Sequence, residues 1–154
     1  MPHVNEKLDF VSDVFIVHEN KVLLRKHDKY KIWLSVGGHI ESGEDPAQAA
    51  IREAKEEVGL DITLAGNVVR VGDPKKGREL LVPRFINRHW VSDTHEHVSF
   101  IYFATTADTN IRQGETEISD DIRWFTKGDL DDPAFGVTEG VRYHAREALK
   151  ALGT

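Results

Sequence analysis

Glu53, Glu56 and Glu57 stand at i, i+3 and i+4, so a helix through them carries all three carboxylates on one side. Arg52 lies one turn ahead of Glu56 and can hold that carboxylate in place. Crowded acids repel one another, by about a few tenths of a kcal/mol per exposed pair and by more when buried. A fold keeps such a cluster when positive charge sits within it. Hard divalent cations take oxygen ligands, and Mg2+ binds through a few carboxylates together with substrate phosphates. A Glu-rich helix taken alone is most often a solvated face laced with i,i+4 pairs. Here the residues ahead of the cluster set it apart.

The cluster needs a helix, and the sequence supplies one. Asp45 is a good N-cap, Pro46 suits the first helical position, and Gln48 completes a capping box. Ala47, Ala50, Ile51, Ala54 and Val58 recur at helical spacing as an apolar stripe. Gly59 is the expected left-handed residue after the last turn. The small apolar side chains predict close packing on a sheet. Ahead of the helix, Gly37-Gly38 lets backbone approach a ligand closely, and a short polar loop containing Glu44 leads into the cap.

The remaining chain reads as strands with one more helix. Ser12 to Glu19 alternates and is rich in β-branched and aromatic residues, and Lys21 to Lys26 returns from it as a hairpin. Arg25, at the end of that hairpin, is a candidate phosphate contact. Ile32 to Val36 is a short strand, and Asp61 to Val71 is a longer one interrupted near Gly66. Gly72 to Glu79 is a basic, turn-rich loop of the kind usually found at the mobile surface. Pro83 argues for an edge strand or a bulge in Leu80 to Trp90. Val98 to Thr105 and Ile122 to Thr126 are strands, Lys127 to Pro133 is a turn, and Thr138 caps a last helix running to Leu152. His95 and His97 share a strand face, which permits metal chelation, but no third ligand is evident nearby. Strands, a helix, more strands and a terminal helix describe an α/β sandwich with a mixed sheet.

Composition narrows the function. At 154 residues, 40% hydrophobic and 30% charged, the chain suits one domain over residues 1–154 with a proper core. It has no cysteines, which excludes thiolate sites and a cysteine nucleophile and fits a cytoplasmic setting. No apolar run is long enough to span a membrane, so no membrane partner is expected. A net charge of -6 argues against polymeric nucleic acid as a partner. It leaves room for a small phosphorylated substrate, since bound metal reverses the local field.

The stretch from Gly38 to Leu60 resembles the Nudix box, G-x5-E-x7-R-E-U-x-E-E-x-G-U with U apolar. Gly38, Glu44, Arg52, Glu53, Glu56, Glu57 and Gly59 fill every fixed position, and Ala54 and Leu60 fill the apolar ones. A chance match is rarer than about one in a million from average residue frequencies, so the pattern is specific for the family. The resemblance implies the Nudix α/β/α sandwich and metal-dependent hydrolysis of a diphosphate linkage. It implies that Glu53, Glu56 and Glu57 hold Mg2+, with Mn2+ able to substitute, and that Arg52 orients Glu56. The Gly38 carbonyl and Glu44 join the metal shell by the same resemblance. Family members take their general base from the box or from a later loop, and Glu117 leads Glu115 and Asp120 as that loop residue.

The box fixes the bond broken and not the group attached to it. The expected substrate is a small nucleotide, foremost a nucleoside triphosphate, canonical or oxidised, cleaved to monophosphate and pyrophosphate. ADP-ribose, a nucleotide sugar and a dinucleoside polyphosphate are the alternatives, as is a non-catalytic ligand sensor on the same fold. Candidate substrate contacts are Arg25, His39, Trp33 and Phe135, with Phe85 and Trp124 as further aromatic candidates. A monomer and a homodimer both suit the sequence.

Overall fold

The computed structural model describes residues 7–114 and 118–153. Strand β1 (Leu8–His18) is the centre of the sheet. Val14, Phe15, Ile16 and Val17 are all buried, so neither face of this second half of the strand meets water, while Phe10 in the first half is exposed. Such a doubly covered strand reads as a continuous apolar run rather than an alternation. It turns through Glu19-Asn20 into β2 (Lys21–Lys26), both turn residues having positive φ as this tight hairpin demands. Short strands β3 (Trp33–Leu34) and β4 (Val36–His39) follow, and β4 lies antiparallel along β1.

Helix α1 (Pro46–Val58) forms as its local signals dictate. Asp45 and Gln48 make the reciprocal capping box, and Gly59 takes the left-handed conformation at φ 70°. Ser12 Oγ donates to the Pro46 carbonyl at 2.7 Å, tying the helix start to β1. Ala50, Ala54 and Val58 are fully buried against Val14, Ile16 and Leu23. Alanines bring the helix axis close to the sheet. Ile51, expected in the apolar stripe, is instead exposed, and Ala49 takes a buried place.

The expected strand from Asp61 to Val71 shrinks to β5 (Thr63–Leu64), paired to β7. Beyond it Val68, Val69 and Val71 are exposed in a loop. Their β-branched pattern mimics a strand, but no strand among the described residues offers them a ladder. Strand β6 (Phe85–Ser92) begins after Pro83 and, among the described residues, pairs only with β7, as an edge placement requires. Strand β7 (His95–Thr105) runs parallel to β1 over ten residue pairs, from Leu8 opposite Glu96 to Val17 opposite Thr105. Strand β8 (Asp121–Phe125) returns along β2. Lys127–Asp131, expected as a turn, is a short helix α2, because Thr126 and Asp129 form a second capping box. Helix α3 (Glu139–Leu152) packs Ala145, Ala148 and Leu149 on the face of the sheet opposite α1. The result is a mixed sheet between helices. Among the described residues, no helix is long and apolar enough to cross a membrane.

Gly59 offers a direct check on the packing of α1. Its φ is positive, and a Cβ there would lie 2.7 Å from the Arg112 Cβ and 2.8 Å from the Arg112 carbonyl. Gly59→Ala should therefore destabilise the fold by about 1–3 kcal/mol in urea denaturation. An unchanged midpoint would show that α1 ends differently.

Candidate active site

Arg52 organises the box. Its Nε and Nη2 donate to the two carboxylate oxygens of Glu44 at 2.8 Å each, a fork-to-fork pair. Nη1 donates to Glu53 at 2.9 Å and to Glu56 at 3.1 Å. Nη2 also donates to the His39 carbonyl at 2.9 Å, so one guanidinium joins strand β4, the loop and the helix. The Glu44 hydrogen bonds raise the Arg52 pKa further, and the same contact holds Glu44 below the usual carboxylate range. Glu44 also accepts from the Glu41 amide at 3.0 Å, which fixes the loop.

The three clustered glutamates have different surroundings. Glu53 and Glu57 are only 4% and 1% exposed, whereas the Glu56 side chain is 53% exposed at the rim. Glu57 accepts from the Gly37 amide at 2.7 Å, and Arg25 Nη2 lies 2.6 Å from its other oxygen. Arg25 was expected to meet phosphate. It is held by Glu57 and by Ser119 Oγ, to which Nη1 donates at 3.1 Å. Glu53 lies against Gly38, where a Cβ would stand 2.3 Å from its Oε1. A glycine with no side chain therefore lets this carboxylate reach the backbone of β4.

These donors fit a hard divalent ion. Glu57 meets the Gly37 amide and Glu53 lies against Gly38 with no side chain between them, while Glu56 stands at the rim on Arg52, so the three carboxylates border one face of the box. Glu44 is turned toward Arg52 with both oxygens engaged.

A cavity of about 730 Å3 opens on the α3 side of the sheet. Gly37, Gly38, His39, Arg25 and Glu57 line it, so it shares a wall with the carboxylate cluster. His39 thus borders the cavity, with its Nε2 3.2 Å from Asp9. Trp33 is 5% exposed and meets Phe125 and Phe135 edge to face, inside the core. Phe135 packs on the same core cluster. Phe85 stacks against Phe103 and His144, and Trp124 lies near His18. Arg78 approaches Asp45 at 3.6 Å from an exposed loop. Glu117 and Glu115 lie outside the described residues, while Ile118 lines the cavity and Asp120 is paired with Lys31.

The cavity wall also holds residues that sequence reasoning passed over. Asp13 faces it from β1, hydrogen-bonded by Ser99, and burial pushes its carboxyl pKa up. Tyr30 and the exposed Trp90 are its aromatic rims. Asp13 carried a signal, a lone acid within an apolar strand. Trp90 carried none, since its outward direction depends on the register of β6 against β7. His97 also lines the cavity, and burial together with His39, His89 and His95 pushes its pKa down to about 4.

Arg52→Lys keeps the charge and loses the fork. It should lower stability by about 1–3 kcal/mol, and a cycle with Glu44→Ala should show coupling above about 1 kcal/mol. Additive effects in denaturant titrations would mean that the Arg52–Glu44 pair does not organise the loop.

Comparison with known proteins agrees with this fold. The NUDIX domain model matches residues 9–146. A NUDIX-family hydrolase from Clostridium perfringens superposes with a TM-score of 0.81 at 38% identity, covering 94% of this chain and 97% of that one. Dihydroneopterin triphosphate diphosphatase of Escherichia coli K12 is 46% identical over 41 residues, 27% of each chain, so the match spans about a quarter of that relative's length. The 8-oxo-dGTP diphosphatase of Proteus vulgaris is 27% identical over 95 residues, 59% of this chain and 85% of that protein. With its box helix, capped and folded against a mixed sheet, the chain belongs to the NUDIX family of hydrolases.

Proposed function

We propose that this protein hydrolyses the diphosphate linkage of a nucleoside triphosphate, canonical or oxidised, or of a closely related triphosphate, releasing the monophosphate and pyrophosphate. The observation that carries this reading is the shared wall. Gly37, Gly38 and Glu57 border both the carboxylate cluster and the large cavity, so phosphates at the cluster leave the organic group in the cavity. The relatives that act on dihydroneopterin triphosphate and 8-oxo-dGTP support a triphosphate. Their two ring systems share an amino-pyrimidinone edge of adjacent N–H donors, and Asp13 is a carboxyl in the wall suited to such an edge.

Glu53, Glu56 and Glu57 would hold Mg2+, or Mn2+ in its place. When bound, such an ion screens phosphoryl charge and acidifies a coordinated water. Arg52 fixes the directions of Glu53 and Glu56 before substrate arrives, so little reorganisation is needed. Arg25 balances the buried Glu57 charge and holds the residue 119 loop at the cavity. We assign the proton-accepting role to Glu117, the later-loop glutamate nominated by the family resemblance.

A panel of canonical and oxidised nucleoside triphosphates, dihydroneopterin triphosphate, ADP-ribose, nucleotide sugars and dinucleoside polyphosphates tests the reading. Pyrophosphate release should appear for the triphosphates and require the metal. Glu56→Gln and Glu57→Gln should each lower kcat by several orders of magnitude with the fold intact. Near-normal turnover in both variants would reject the site. Preferential turnover of ADP-ribose or a nucleotide sugar would reject the substrate class, and tight binding without turnover would indicate a sensor.

A further inference from the structure

A second set of ligating side chains gathers at the other end of the cavity wall. Asp9 on β1, His39 on β4, and His95 and His97 on β7 each offer one ligand atom, and all four atoms lie within 4.8 Å of one another. The sheet brings them together. Asp9 pairs with His97 across the parallel β1–β7 ladder, and Val11 pairs with His39 across β1–β4. Asp9 Oδ2 lies 3.2 Å from His39 Nε2 and 3.1 Å from His95 Nε2. The His97 ring centroid is 5.4 Å from that of His39 and 5.0 Å from that of His95. Asp9 is 3% exposed, and its Oδ1 is buried with no hydrogen-bond partner among the described residues.

We propose that Asp9, His39, His95 and His97 form a binding site for one transition-metal dication of the Zn2+ type, separate from the carboxylate site on α1. Three imidazoles and one carboxylate make a four-donor set of the kind such ions take in tetrahedral geometry. Mg2+ prefers an all-oxygen shell, so the two sites differ in the metal they select. A simple aspartate–histidine hydrogen-bond network accounts for two of the imidazoles. It leaves the buried Oδ1 and the close approach of His97 without a role, whereas a bound ion uses both. An ion here would pin β1, β4 and β7 together one residue from Gly38.

The test uses untagged full-length protein, stripped with a chelator and titrated with Co2+ in excess Mg2+. One equivalent of Co2+ should bind and give the visible absorption of a four-coordinate ion. Loss of a single outer-shell partner costs roughly 10–100-fold in metal affinity, so loss of two ligands in His95→Ala/His97→Ala should weaken Co2+ by more than about a hundredfold. Glu53→Gln should leave Co2+ binding unchanged, which separates this site from the box. Absence of Co2+ uptake in wild type, or uptake unaffected in the histidine variant, overturns the proposal. X-ray absorption of the Zn2+-loaded wild type guards against a variant that fails to fold. Imidazole scattering is expected, and a shell of oxygens alone would overturn the assignment.

Discussion

Two carboxylates, Glu53 and Glu57, are removed from water at the edge of the sheet, and much of the surrounding structure offsets their burial. An isolated buried carboxylate would neutralise or destabilise the fold. Here Arg52 and Arg25 face them from opposite sides, and the Gly37 amide supplies a hydrogen bond. Breaking such a pair by removing one partner typically costs about 3–5 kcal/mol. The arrangement keeps concentrated negative charge in a fixed geometry. That is a poor strategy for stability alone and a good one for receiving a divalent ion.

This constraint explains the local architecture. The glycines of β4 are needed on both sides. A Cβ at Gly38 would strike Glu53, and one at Gly37 would stand 2.3 Å from Asp13 Oδ1. Helix α1 must therefore lie close, which its alanines allow, and its start is held to β1 through Ser12. The cluster belongs to the α1 layer, and the cavity opens toward α3. Strand β4 is the thin partition through which the two communicate, with Glu57 reaching the cavity beneath Gly37.

The parts legible in the sequence were those set by local chemistry. Asp45, Pro46, Gln48 and Gly59 specify α1 without help from the rest of the chain, and the box spacing follows once the helix is placed. Long-range pairings were not legible. Arg25 meets Glu57 only because β2, β1 and α1 stack in one order, and His39 meets His95 only through the parallel β1–β7 ladder. The aromatic candidates show the same limit. Trp33 and Phe135 turn into the core, while Tyr30 and Trp90 reach the cavity, a choice made by long-range packing and not by residue type. The valines at 68, 69 and 71 had strand propensity without a strand to pair with. Lys127–Asp131 read as a turn because its capping box closes a helix only five residues long.

Mn2+ binding to the substrate-free protein, followed by electron paramagnetic resonance with Mg2+ as competitor, asks whether the buried carboxylates hold the metal. Wild type should bind Mn2+ displaceably by Mg2+, and Glu57→Gln should weaken this binding by at least about tenfold while its circular dichroism stays unchanged. Equal Mn2+ binding by wild type and Glu57→Gln would contradict that role, since the buried carboxylates would then be structural and the metal would sit elsewhere.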